Sequence, residues 1–471
     1  MNKVKRQPHR ASNVLHDSWA VRGGLREYLA YIAAACSLAT ISVAHAQNWP
    51  SFRGPNGSGI GTGSPPATWN VETGENVKWK VPIAGLAHSS PIVWGTRVYL
   101  TTAVPVGLQA KLDKGWMGGS IASAQESGEW EWKVLCLEKG TGKTLWEQTA
   151  HKGAPMFKRH PKSTHANGTP TTDGKHVVAF FGSEGLFCYD TDGKLLWKKD
   201  LGSLNSSWST FKDMQWGTAN CPIIHDGKVI LQCDAANASF WVALDIKDGK
   251  EIIRVERGDV ATWSTPSIHV GKSGSPTQLI CNGYKKMAGY DLATGKELWS
   301  LEGGGDIPVP RPIIAGDLFF ITNGHSKSPI YVIRASARGV LTPTDDAKPE
   351  GIAWWSKVKG SYMPTPIVVD DLFYVSDDNG VLCVFEAATG KQVYRQRLPG
   401  GGNSTYSASP VAAAGRLYIT NEDGQVDVVK TGREFQVLAS NQMNGICMAT
   451  PALAEDRLFI RTRDQLFCIG K

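Results

Sequence analysis

Apolar residues in this chain fall in short runs, and the runs return in a fixed order. Between residues 365 and 394, Thr365-Pro366-Ile367-Val368-Val369 opens an apolar strand, Asp370-Asp371 is a turn, and Leu372-Phe373-Tyr374-Val375 is a second strand. Asp377-Asp378-Asn379-Gly380 turns again into a third strand at Val381-Leu382-Cys383-Val384-Phe385, and Thr389-Gly390-Lys391 leads to a fourth, which carries Tyr394. Short β-branched or aromatic runs bounded by Gly, Asp and Asn predict strands joined by hairpins. The unit opens each time on a Ser/Thr/Cys/Arg-Pro step, at Pro91, Pro170, Pro222, Pro266, Pro312, Pro366, Pro410 and Pro451. A period of roughly forty to fifty residues signals a propeller, a solenoid or an array. Helical periodicity is absent beyond residue 46, which excludes a solenoid of helix pairs. The predicted fold is therefore all-β, an eight-bladed β-propeller of four-stranded antiparallel blades.

A second pattern marks the turn into the fourth strand. Glu138-x-x-Thr141-Gly142-Lys143-x-x-Trp146 recurs around Gly193 and Trp197, around Gly295 and Trp299, and with Tyr394 in the sixth unit. Glycine supplies the positive φ that the turn needs, and the tryptophan is placed to fill the wedge between blades. Ile253 and Gln436 hold the tryptophan's place in the third and seventh units, and the fifth has no clear turn motif although Trp354 and Trp355 lie nearby. These three blades are expected to pack less regularly. After Pro451 the chain offers only three strands, whereas residues 76–82, with Trp79, form an orphan outer strand ahead of the first unit. Residues 76–82 are expected to complete the last blade, because an open ring would leave an unpaired edge.

Composition is that of a globular chain, with 471 residues, 41% hydrophobic and 20% charged. The first 46 residues read as a signal peptide: six Lys/Arg, an apolar stretch over 28–43, and Ala44-His45-Ala46 as a cleavage signal, leaving one domain at 47–471. The apolar stretch is shorter than the ~20 residues a membrane span requires, so no span is expected in the mature chain. Cys36 follows three alanines but lacks the leucine and the polar follow-on of a lipoprotein site. Export to the periplasm or the exterior is expected. The net charge of +7 falls to about +3 without the leader, since its six Lys/Arg face only Asp17 and Glu27. That is too weak and too dispersed for a nucleic-acid partner. The basic cluster Lys152, Lys158, Arg159, His160 and Lys162 is read as a solvated loop.

Cys136, Cys188, Cys383 and Cys468 occupy the same place on the third strand of four different blades and are expected to be small core residues. Cys221 and Cys233 flank a hairpin whose register requires a bulge before they could pair. No nucleophile elbow, zinc spacing or phosphate loop is present, and no catalytic or metal-ligating residue is assigned. Residues just before the inner strands should line a central funnel; these are His88, His165, Trp216, Trp263, Arg311, Tyr362 and Tyr406, a mixture suited to a ligand pocket or to packing at blade tips. The insertion at 103–132 is the candidate lid or docking loop.

The Asp-x-x-Thr-Gly-Lys-x-x-Trp turn and the eight four-stranded units resemble the quinoprotein-type propeller repeat of pyrroloquinoline quinone (PQQ) dehydrogenases and of BamB-like lipoproteins, over essentially all of 47–471. The opening Asn48-Trp49-Pro50-Ser51-Phe52-Arg53-Gly54-Pro55 and the Ser89-Ser90-Pro91 step are similar to secreted PQQ-like propellers of planctomycete-type bacteria. The resemblance to the dehydrogenases would imply PQQ with Ca²⁺, held by Glu, Asn and Asp under a vicinal disulfide. Here there is no Cys-Cys pair, and Asn167 and Asn220 have no evident acidic partner. The leading expectation is a non-catalytic scaffold for a protein, peptide or glycan partner. The alternative is a PQQ-dependent dehydrogenase acting on an alcohol or sugar.

Overall fold

The computed structural model describes residues 48–471 except 273, 304, 326–327 and 345–346; the expected signal peptide and its cleavage point lie outside the described residues. Eight antiparallel sheets follow one another along the chain, seven of four strands and one of five. They are the blades of a β-propeller, numbered here in chain order from the blade that opens at Ile92. No α-helix occurs among the described residues; three short 3-10 turns are the only helical pieces there. The ring closes as the sequence leads one to expect. Val77–Pro82 is the outermost strand of the eighth blade, paired antiparallel with Gln465–Ile469, with Trp79 opposite Cys468. The first and last parts of the domain are thus held by one sheet.

The residue before each proline explains why the repeat opens as it does. The backbone N–H of Ser90 donates to Thr169 Oγ1 in the next blade (3.0 Å), that of Thr169 to Cys221 Sγ (3.2 Å), and that of Cys221 to Thr265 Oγ1 (3.0 Å). A second arc runs from Arg311 N–H to Thr365 Oγ1, Thr365 N–H to Ser409 Oγ and Ser409 N–H to Thr450 Oγ1, at 2.9–3.0 Å. Each link needs a short side chain carrying an acceptor, hence Ser, Thr or Cys. The proline that follows has no N–H, and it sits on the channel-side edge strand where no partner strand asks for one. Arg311 has no acceptor, and the belt breaks there. Its guanidinium bonds Ser267 Oγ (2.7 Å) and the Phe52 carbonyl (3.0 Å) instead.

The wedge tryptophans dock on the next blade rather than on their own turn. Trp79 Nε1 donates to the Lys139 carbonyl, Trp146 to Thr191, Trp197 to Ile246 and Trp354 to Ala387, at 2.7–3.0 Å. Each indole lies against the turn glycine of that next blade: Gly142, Gly193, Gly249 and Gly390, where a Cβ would come within 2.5–2.8 Å of the ring. These glycines also hold φ of +70 to +88, so two requirements select them at once. The expectation of irregularity is corrected for the third blade and for the side of the fifth that faces the sixth. Ile253, with Val255, covers Gly295 as an indole would, and Trp354 gives the fifth blade an ordinary wedge. Trp299 is the exception. The fifth blade has no glycine turn to receive it, so Trp299 folds over Gly289 of its own sheet and donates to Gln278 Oε1 (3.2 Å). In the turn's place Gly339–Val340 pairs in parallel with the outer strand at Trp299 and Ser300, which makes the fourth sheet five-stranded.

Two further readings are corrected by register. Cys136, Cys188 and Cys468 lie opposite Trp146, Trp197 and Trp79, but Cys383 lies opposite Arg395, one residue out of step, because Val384 takes the place facing Tyr394. The insertion is shorter than 103–132. Strands Arg97–Pro105 and Trp130–Glu138 pair over their whole length, Pro105 opposite Trp130, so the loop is 106–129. All eight cysteines among the described residues are buried and free, Cys221 and Cys233 included.

Candidate functional site

The central channel is blocked at one end. Residues 48–61 cross it: Trp49 exchanges backbone hydrogen bonds with Val93, the Pro50 carbonyl accepts from Thr172 N–H, and Gly61 N–H donates to the Ala412 carbonyl. At the centre Arg53 is fully buried. Its NH1 donates to the carbonyls of Pro410 (2.9 Å) and Thr365 (3.2 Å), and its NH2 to that of Pro366 (2.9 Å). Burial first, and the neighbouring charge of Arg311 second, lower the Arg53 pKa to about 9. Phe52 forms part of the floor of what remains open, a funnel enclosing a cavity of about 200 Å³.

Four of the seven residues singled out from sequence meet in this funnel: His88, Trp216, Trp263 and Tyr362. The indole N–H groups are tied to the wall, Trp216 to the Ile121 carbonyl (2.9 Å) and Trp263 to that of Gly217 (2.6 Å), so the rings show the cavity carbon. Trp208 stacks on Trp216 and Trp216 meets Trp263 at a tilt, with centroids 5.4 and 5.7 Å apart. The other three lie elsewhere. His165 is packed edge-on against Trp130 (4.8 Å) and Trp132, Arg311 braces the floor as described, and Tyr406 lies under Gly380 with its hydroxyl 3.5 Å from Asp427. For these three the residue ahead of the inner strand is turned into the ring rather than toward the opening.

The basic cluster between the first two blades is solvated only in part: Lys152 and Lys158 are exposed, but Arg159, His160 and Lys162 are drawn in. Arg159 is buried, with its guanidinium paired to Glu126 and donating to the carbonyls of Ser163 (2.6 Å) and Lys111 (2.7 Å). His160 Nδ1 accepts from Lys162 N–H, which leaves Nε2 to donate to the Ser120 carbonyl at 2.8 Å. His88 Nε2 donates to the Lys162 carbonyl at 2.8 Å. Burial pushes both imidazoles down to about 4, so both are neutral near pH 7. Together these contacts staple the 106–129 loop onto the rim.

Glu422, on the far side in the seventh blade, completes the staple. Its carboxylate accepts from Lys162 Nζ (2.5 Å), Ser407 Oγ (2.5 Å) and Gly115 N–H (2.8 Å), and Lys114 pairs with the neighbouring Asp423. Trp116, in the same loop, reaches the His325 ring (5.5 Å), which in turn meets Tyr362 (5.0 Å). The loop therefore bridges the mouth from the first blade to the fifth and seventh. Sequence reasoning missed Glu422 and Asp378, which lines the funnel from the sixth blade. Both are the second residue beyond the second strand of their blade, a correspondence visible only once the repeats are superimposed.

Comparison with known proteins agrees with this architecture. The chain matches the family described as outer membrane protein assembly factor BamB over residues 131–380 and 346–469. It belongs to this family of PQQ-like propellers. Among solved structures, BamB from Moraxella catarrhalis superimposes with a TM-score of 0.50 at 16% identity, covering 78% of this chain and 95% of that one. Quinohemoprotein alcohol dehydrogenase from Comamonas testosteroni gives 0.58 at 12% identity, covering 90% and 81%. At these identities the likeness is one of fold. The tetrathionate hydrolase of Acidithiobacillus ferrooxidans is 22% identical over 369 residues, 75% of this chain; the match spans 66% of the relative's length, just under two thirds.

The quinone and calcium of the dehydrogenases find no donor set in this funnel. Asn167 spends its side chain on Thr164, Ser163 and Thr218, and Asn220 on the carbonyls of Thr262 and Ser264. Glu422 already accepts three bonds. Among the described residues no group of three or more His, Cys, Asp or Glu is arranged to hold a metal ion. The residues present do not fit a calcium-bound quinone.

Proposed function

We propose that this propeller is an exported, non-catalytic binding scaffold that receives part of a partner protein, peptide or glycan in its funnel. The observation that carries this reading is the one-ended, aromatic-walled cavity in which Lys162 is matched by Glu422 and the histidines are committed to backbone carbonyls. A cavity of that kind is suited to holding a guest and lacks the paired, unengaged acid and base that proton-transfer chemistry requires. Kinship with BamB supports a protein partner, and the leader-like residues 1–46 support export.

Peptide and glycan arrays probed with the full exported chain and with Trp263→Ala test the reading. Signals given by the wild type should vanish in the variant, whereas signals that survive it would place recognition outside the funnel. Calorimetric titration with PQQ and Ca²⁺ should give no heat of binding. Micromolar affinity would replace this reading with that of a quinone-dependent dehydrogenase acting on an alcohol or sugar.

A further inference from the structure

Charge in the funnel is unevenly compensated. Lys162, the cation that reaches the cavity, is matched by Glu422 at 2.5 Å. His88 and His160 are neutral and have their Nε2 groups committed to carbonyls. Asp378 also lines the cavity, and among the described residues no Lys, Arg or His nitrogen lies within ion-pair distance of its carboxylate. Burial drives that carboxyl above its usual range and the neighbouring Asp377 charge adds to the rise, while His325 and Lys162 oppose it from beyond ion-pair distance. Tyr362 senses the Asp378 charge in turn, and Trp116, His325 and Tyr362 are in ring contact, so the carboxylate and this aromatic chain share one side of the funnel. Trp216 and Trp263 line the same cavity, and Tyr362 packs against their cluster.

A carboxylate with no ion-pair partner among the described residues, lining one cavity with aromatic rings of which Trp216 and Trp263 turn their N–H groups into the wall, is an arrangement suited to an organic cation. The carboxylate supplies the charge, and the rings attract the cation through their quadrupoles while covering its alkyl groups. We infer that the group this funnel receives is cationic, an alkylammonium of the size of a trimethylammonium or a lysine ammonium, seated between Asp378 and the aromatic walls. The inference rests on the funnel being the recognition site, as proposed above.

The test compares choline with its uncharged isostere 3,3-dimethyl-1-butanol by calorimetry on the full exported chain, with Nα-acetyl-lysine methylamide as a second cation. Choline should bind at least tenfold more tightly than the isostere, and Asp378→Asn should remove that preference while leaving the weaker binding of the isostere in place. Tighter binding of the lysine derivative than of choline would identify a side chain of a partner as the source of the cation; the reverse order would identify a free quaternary amine. Equal binding of choline and its isostere, or an unchanged preference in Asp378→Asn, would overturn the inference. If none of the three probes binds while array signals still depend on Trp263, the cation assignment is wrong and the funnel reading stands. If those signals do not depend on Trp263, the funnel reading itself has failed.

Discussion

At the scale of single residues, the buried histidines make stability depend on pH in a definite direction. Burial lowers His88 and His160 to about 4 and His165 to about 3, against 6.5 for the ordinary imidazole. The unfolded chain therefore binds protons below pH 6.5 that the folded chain does not. Stability is full above 6.5 and falls as pH drops toward 4, at about 1.4 kcal/mol per unit for each fully responding group. Thermal melts at pH 7, 5.5 and 4.5 should show this decline. His165→Phe should reduce it, because the ring contacts with Trp130 and Trp132 survive while the titration is lost. The Lys162–Glu422 pair makes a second prediction. Glu422→Gln leaves the partly buried Lys162 ammonium with the Gly115 carbonyl but no counter-charge and should cost up to ~3 kcal/mol, whereas Lys162→Met combined with Glu422→Gln should cost much less. Equal losses in urea unfolding would mean that the pair is not electrostatically coupled.

At the scale of elements, the informative unit is an indole together with the turn of the following blade. Truncating Trp197 to Ala should cost ~3–5 kcal/mol through lost burial and a residual cavity. Gly249→Ala should do comparable damage from the opposite side, since its Cβ would stand 2.7 Å from the Trp197 ring on a backbone of φ +70. Calorimetric melting of the two variants and their double mutant checks this: the double should be milder than the sum, and simple additivity would separate the two sites. The strands and turns were legible because short β-branched or aromatic runs and glycine turns are local signals. The tryptophan and its glycine were legible as a spacing within one repeat, but their contact runs between repeats, which a single unit cannot reveal. Trp299 shows the limit: its motif matches that of Trp197, and only the missing turn in the next blade sends it elsewhere.

At the scale of the whole molecule, ring closure was readable from strand counting and the site only in part. The funnel residues ahead of inner strands were found where the chain turns toward the opening. Lys162, Glu422 and Asp378 were hidden because loops bring them together from the first, sixth and seventh blades, and no periodicity governs loops. Deleting residues 48–82 would remove both the closing strand and the segment that blocks the channel. The shortened protein should self-associate through the exposed Gln465–Ile469 edge and melt lower and more broadly in calorimetry and light scattering. A monomer with an unchanged melt would refute closure by Val77–Pro82.

The crossing of residues 48–61, anchored by Arg53, has a kinetic consequence. The propeller is a cul-de-sac with a single door, and that door is bridged by the 106–129 loop. If the funnel holds a guest as proposed, a second guest cannot push the first out from behind, so occupants exchange one after another and a competitor cannot hasten the departure of a resident. Loosening the contacts of Glu422 with Lys162 and Gly115 should then shorten the stay even where the walls are untouched.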